Sequence, residues 1–160
     1  MKQTYLKSLF LSLLMMVIGS IGTFAGENVV SFSAETDKGS VTKNGQTSTG
    51  DNVTKEDVTI TSSNGCLGSG SYRVYTNGTL TVSTTTGTIT KIEITCEGTT
   101  VGDKNYNPNK FTLNESSTGS YSGSGYIGTW TGEATSVVLD ASAQVRMTKI
   151  EVTIETEETD

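Results

Sequence analysis

The residues best suited to chemistry in this sequence lie in Asp103-Lys104-Asn105-Tyr106-Asn107-Pro108-Asn109, where oxygen-bearing side chains recur at every second position as in calcium-binding loops. Asp103, Asn105 and Asn107 are the candidate calcium ligands. Against that reading, Pro108 stands where an EF-hand-type loop turns on glycine, Asn114 replaces the bidentate acid at the twelfth position, and Lys104 and Lys110 dilute the charge. An Asn-rich turn also forms without metal, because Asn tolerates the left-handed region and caps turns with its own amide. Calcium is therefore the one cofactor candidate, beside the plainer expectation of no cofactor.

Catalysis has less to draw on. The chain contains no histidine, which removes Ser-His-Asp and Cys-His mechanisms, the usual zinc sites and any histidine proton switch. A glycosidase needs two carboxylates about 5 to 10 Å apart. Glu93, Glu133, Asp140 and Glu151 are present, yet no spacing singles out a pair. Gly123 and Gly125 follow no strand-to-helix junction and carry no phosphate-binding lysine, so they mark no nucleotide site. The expectation is a protein that is not an enzyme.

Binding is better provided for, because sugar rings present apolar C–H faces that pack on an indole or a phenol. Trp130 is the only tryptophan and shares strand parity with Tyr126, whereas Ile127 falls on the opposite parity and reads as core. That leaves two readings of Trp130: an outward shelf, or a ring packed between Gly128 and Gly132 inside the protein. Tyr75 shares a strand face with Arg73, a second candidate shelf, while Tyr121 and Tyr126 sit in a Gly/Ser-rich stretch that reads as a flexible loop. With Tyr106 these complete the candidate ligand-binding set.

The elements that position these residues begin with an export signal. Lys2 and Lys7 precede an apolar run from Leu9 to Ile18, and the small residues Thr23 and Ala25 occupy the −3 and −1 positions of a cut before Gly26. Residues 1–25 are thus expected to be a signal peptide, 26–155 a β-sandwich domain and 156–160 an acidic flexible tail. The apolar run is too short for a span of about 20 residues, so no membrane insertion is expected after cleavage. The expected destination is the exterior, the cell surface or the periplasm. Removing the two signal-region lysines leaves 9 basic residues against 17 acidic ones. Nucleic acid is disfavoured as a partner, since its binding rests on neutralising phosphates.

Export also permits a disulfide. Cys66 and Cys96 stand 30 positions apart, and a bridge would contribute about 3 to 4 kcal/mol in the chain-entropy model. Two separately buried thiols are the alternative, and spacing alone does not place the Cβ atoms.

Short alternating runs separated by Gly, Asn and Ser clusters predict strands near Val29–Ala34, Val58–Ser62, Ser71–Tyr75, Thr79–Thr84, Thr88–Cys96, Lys110–Leu113, Tyr126–Thr131, Ser136–Asp140 and Gln144–Ile154. About nine short strands with no amphipathic helix predict an all-β, antiparallel two-sheet sandwich, jelly-roll-like. Ile92, Ile94 and Cys96 alternate with Lys91, Glu93 and Thr95, and Ile150, Val152 and Ile154 alternate with Lys149, Glu151 and Thr153, giving each strand one core face and one wet face. Asn77-Gly78 between two runs predicts a two-residue hairpin.

Ser-Tyr-Arg-Val-Tyr at 71–75, Gly-Thr-Leu-Thr-Val at 78–82, Ile-Thr-Lys-Ile-Glu-Ile at 89–94, Gly-Thr-Trp-Thr-Gly at 128–132 and Gln-Val-Arg-Met-Thr-Lys-Ile-Glu-Val-Thr at 144–153 resemble uncharacterised β-sandwich modules of secreted proteins from gut Bacteroidetes. The resemblance covers most of the mature chain. It implies a jelly-roll fold and a carbohydrate-binding or scaffolding role, with a glycan or a cell-surface protein as partner. A non-catalytic binding module is the leading expectation, and a structural or adhesive protein the alternative.

Overall fold

The computed structural model describes residues 26–42, 50–98 and 105–156. The predicted signal peptide lies outside them, as do residues 157–160 of the expected tail. The described residues form twelve strands: β1 (Gly26–Ser33), β2 (Asp51–Lys55), β3 (Val58–Ser62), β4 (Gly65–Cys66), β5 (Tyr72–Val74), β6 (Thr79–Thr84), β7 (Thr88–Cys96), β8 (Phe111–Leu113), β9 (Ser120–Ser124), β10 (Ile127–Ala134), β11 (Ser136–Ala141) and β12 (Val145–Thr156). One 3-10 turn, Pro108–Lys110, precedes β8.

These strands form two antiparallel sheets packed face to face. The larger, seven-stranded sheet has the order β4-β5-β12-β7-β10-β9, with β1 added along β12, and the five-stranded sheet has the order β2-β3-β6-β11-β8. From β5 to β9 the chain alternates between the sheets at every step, so both contribute to one core. The predicted alternation explains how: Ile92 lies opposite Val152, and Ile94 opposite Ile150. All four are fully buried, facing a core that also holds Ile60, Leu80, Val82 and Leu139 from the other sheet. Each such side chain removed from water contributes about 1.5 to 3 kcal/mol. The same alternation leaves Lys91–Glu93 and Lys149–Glu151 as ion pairs along the wet face, at 2.9 and 2.8 Å.

Polar anchoring supplements this core at one point. Asp51 is only 3% exposed. Its carboxylate accepts the backbone N–H groups of Ser40 (3.0 Å), Val41 (3.2 Å), Asn52 (3.1 Å) and Leu67 (2.6 Å). A buried carboxylate is tolerable when donors surround it in this way, and the result ties the segment after β1 to the start of β2 and the end of β4.

Four sequence expectations are corrected. Among the described residues the strands number twelve because β2, β4 and β9 also form; β4 spans only two residues, too few for alternation to register. The Gly/Ser stretch around Tyr121 is no flexible loop but β9, paired with β10 from Ser120↔Thr131 to Ser124↔Ile127. Asn77-Gly78 closes no hairpin, because β5 and β6 belong to different sheets. Asn77 takes φ 62° and the Gly78 N–H donates to the Tyr75 carbonyl at 2.9 Å, a turn that carries the chain across the sandwich. The two-residue hairpins are instead Glu56-Asp57 and Gly125-Tyr126, with Glu56 and Gly125 at φ 52° and 57°. Finally, Ile127 is 41% exposed rather than core. Its register partner Thr95 lies on the wet face, whereas Trp130 lies opposite Ile92 on the core face.

Candidate functional site

At one end of the sandwich, three chain segments converge on a cleft of about 670 Å³ lined by Tyr75, Thr76, Asn105, Tyr106, Lys110, Ala143 and Gln144. Tyr75 and Thr76 follow β5, Asn105 to Lys110 lead into β8, and Ala143 and Gln144 connect β11 to β12. Loops at the end of a sandwich suit this role, since the sheets fix their bases while leaving their tips free of ladder hydrogen bonds.

Arg146 on β12 organises the cleft wall. Its guanidinium lies 3.6 Å from the centre of the Tyr106 ring, a cation–π contact that holds the ring nearly buried. The Arg146 backbone N–H donates to the Tyr106 carbonyl at 3.2 Å, and Glu97 faces the guanidinium at 3.7 Å. Directly across the ladder from Arg146 stands Arg73, whose Nε donates to Ser71 Oγ at 3.2 Å. Like charges in register repel. Tyr75 occupies the face it was expected to share with Arg73: Tyr72 and Val74 are buried, while Arg73 and Tyr75 are partly exposed. Its hydroxyl lies 3.6 Å from Cys66 Sγ. Burial, then the neighbouring thiol, raises the phenol above its ordinary value, while Arg73 and Arg146 pull it the other way.

Of the predicted calcium ligands, Asp103 lies outside the described residues. Asn105 Oδ1 accepts the Asn107 N–H at 3.2 Å, an Asx turn, and Asn107 precedes the 3-10 turn without a side-chain capping bond. Only the Asn105 side-chain oxygen is thus employed by the turn itself. Among the described residues, no group of three or more His, Cys, Asp or Glu converges as a metal site would require.

The other candidates separate from the cleft. Trp130 as a ligand shelf is corrected: its side chain is 0% exposed, and Nε1 donates to the Thr118 carbonyl at 2.9 Å. Gly119, at φ 95°, and Gly132 allow this close packing, since a Cβ at either would stand 2.7 to 2.8 Å from indole atoms. Tyr121 is also turned inward. Its ring meets Phe111 edge to face, and its hydroxyl donates to the Pro108 carbonyl at 2.9 Å. Burial drives that phenol well above its ordinary pKa. Tyr126 does present an aromatic face, 49% exposed at the β9–β10 tip beside Ile127, but it does not line the cleft.

The disulfide is corrected too, for Cys66 and Cys96 are both free and buried. Two strands, β5 and β12, stand between them. Three strand spacings amount to roughly 14 Å, against a Cα limit of about 7 Å for a bridge. Moreover, Cys66 lies opposite Arg73 on one face of the sheet, whereas Cys96 lies opposite Met147 on the core face. Desolvation pushes the Cys96 thiol up to about 12, and the charge of Glu97 adds to the effect.

Sequence reasoning singled out Tyr75, Tyr106, Asn105 and Arg73 here but missed Arg146, Gln144 and the binding role open to Lys110. Arg146 was legible in principle, since it alternates with the core residues Val145 and Met147 in a strand that was predicted. Comparison with protein-family models, curated proteins and solved structures finds no match.

Proposed function

We propose that this protein is an exported, non-catalytic binding module that takes a glycan or another polar ligand in its end cleft. The observation that carries this reading is the convergence of Tyr75 and Tyr106, from separate segments, with the hydrogen-bonding side chains of Thr76, Asn105 and Gln144 around one concavity. A concave site with aromatic walls and a few polar groups suits a ligand with both C–H and hydroxyl faces. The absence of histidine from the chain favours binding over catalysis, and the residues before Gly26 favour export.

A glycan array and polysaccharide pull-down test the proposal. Tyr75→Ala and Gln144→Ala are expected to weaken capture at least tenfold, whereas Tyr126→Ala leaves it unchanged. Loss of capture in Tyr126→Ala alone would instead move the glycan site to the exposed Tyr126–Ile127 tip. Absence of any captured glycan would defeat the glycan reading.

A further inference from the structure

Over the whole chain, acidic residues outnumber basic ones 17 to 11. Around the end cleft the described residues reverse that balance. Lys110 lines it, Arg146 backs its Tyr106 wall, and Arg73 stands across the ladder from Arg146 on the face shared with Tyr75. Elsewhere Lys55 with Asp37, Lys91 with Glu93 and Lys149 with Glu151 pair at 2.8 to 3.2 Å, and among the described cations away from the cleft Lys38 alone forms no ion pair. Arg146 has only the longer Glu97 contact, at 3.7 Å. Neither Arg73 nor Lys110 forms an ion pair with a carboxylate among the described residues. Asp140, on the neighbouring depression, is held by the Asn114 amide at 2.8 Å.

Setting two arginines in direct register is unfavourable unless something negative lies between or beside them. Among the described residues, Glu97 supplies one negative charge for two guanidinium groups and Lys110. We propose that the end cleft binds a sugar bearing an anionic group, carboxylate or sulfate, with Arg73 and Lys110 as its charge partners and Arg146 as the group that orders the Tyr106 wall. This rests on the glycan-binding reading above and names the class of glycan. Arginine suits the task, because its planar fork offers parallel N–H groups to two oxygens of one anion. The acidic remainder of the surface discourages indiscriminate polyanion binding, so the recognised charge is local to the cleft.

Isothermal titration of the full chain at low and moderate salt, against matched pairs of polymers, tests the inference. Polygalacturonate is compared with its methyl ester, and dextran sulfate with dextran; a single-stranded DNA oligonucleotide serves as a polyanion control. The expected result is at least tenfold tighter binding of one charged member than of its neutral counterpart, weakened by salt. Arg73→Ala and Lys110→Ala should each reduce that binding about tenfold, while Lys91→Ala on the distant wet face leaves it unchanged. The two charged polymers separate carboxylate from sulfate as the preferred group. Equal binding of charged and neutral members, or binding of neutral glycans only, overturns the anionic inference while leaving the cleft a glycan site. Charged binding that survives an Arg73→Ala/Lys110→Ala double variant, or DNA bound as tightly as the acidic polymers, also overturns it. No binding of any polymer in the pairs or of any glycan on the array overturns both. Circular dichroism melting of each variant distinguishes lost binding from lost folding.

Discussion

At the scale of single residues, the deciding variable is which side of a strand a side chain takes. For Trp130 the register with Ile92 decides it, and the indole becomes part of the core. Trp130→Ala is accordingly expected to cost about 3 to 5 kcal/mol through lost packing and a residual cavity. Thermal melting should fall by several degrees per kcal/mol, and iodide should scarcely quench the wild-type fluorescence before unfolding. A wild-type indole quenched like free tryptophan would contradict this packing. For the cysteines, native protein should show the intact mass of the fully reduced chain. Both thiols should resist alkylation until denaturant is added, since both are buried and Cys96 stays protonated at neutral pH. The sequence left both pairs of alternatives open because parity within one strand does not fix a side chain's face until the neighbouring strand's register is known. Tyr75 and Arg73 were legible because Tyr72 and Val74, between and beside them, are unmistakably apolar partners of the core.

Among the elements, alternation of apolar and polar residues identified the strands that build the core, with β3, β6 and β7 recovered at their observed limits. It failed where a strand is polar on both faces or too short. β9, Ser120–Ser124, carries a single large side chain, Tyr121, and its pairing is instead secured by β10 and by the fit of Tyr121 against Pro108. Buried polar anchoring was likewise invisible, because nothing local distinguishes Asp51 from a surface acid. Its substitution offers a direct test. Asp51→Ala strands the N–H groups of Ser40, Val41 and Leu67, and about 3 kcal/mol of destabilisation is expected in denaturant melts. Asp51→Asn should fare poorly as well, since both carboxylate oxygens accept N–H donors and an amide nitrogen can replace neither. An Asn variant as stable as the parent would remove the anchoring role.

Taken as a whole, the molecule is a sandwich whose architecture could be read from pattern, while its cleft could not, because the cleft is assembled from three separate segments spread from Tyr75 to Gln144. Local spacing carries no record of such a meeting. The same long-range closure ties β1 to β12, with Gly26 beside Thr156 and every pair through Ser33↔Lys149 in antiparallel register. That arrangement has a mechanical meaning. Tension applied across residues 26 and 156 meets the ladder at its open end and peels it pair by pair, instead of loading all its hydrogen bonds in parallel. In an optical trap, β1 should therefore detach at low force while the rest of the sandwich still holds. Force applied between residues 33 and 156 would shear the same ladder and should meet far greater resistance.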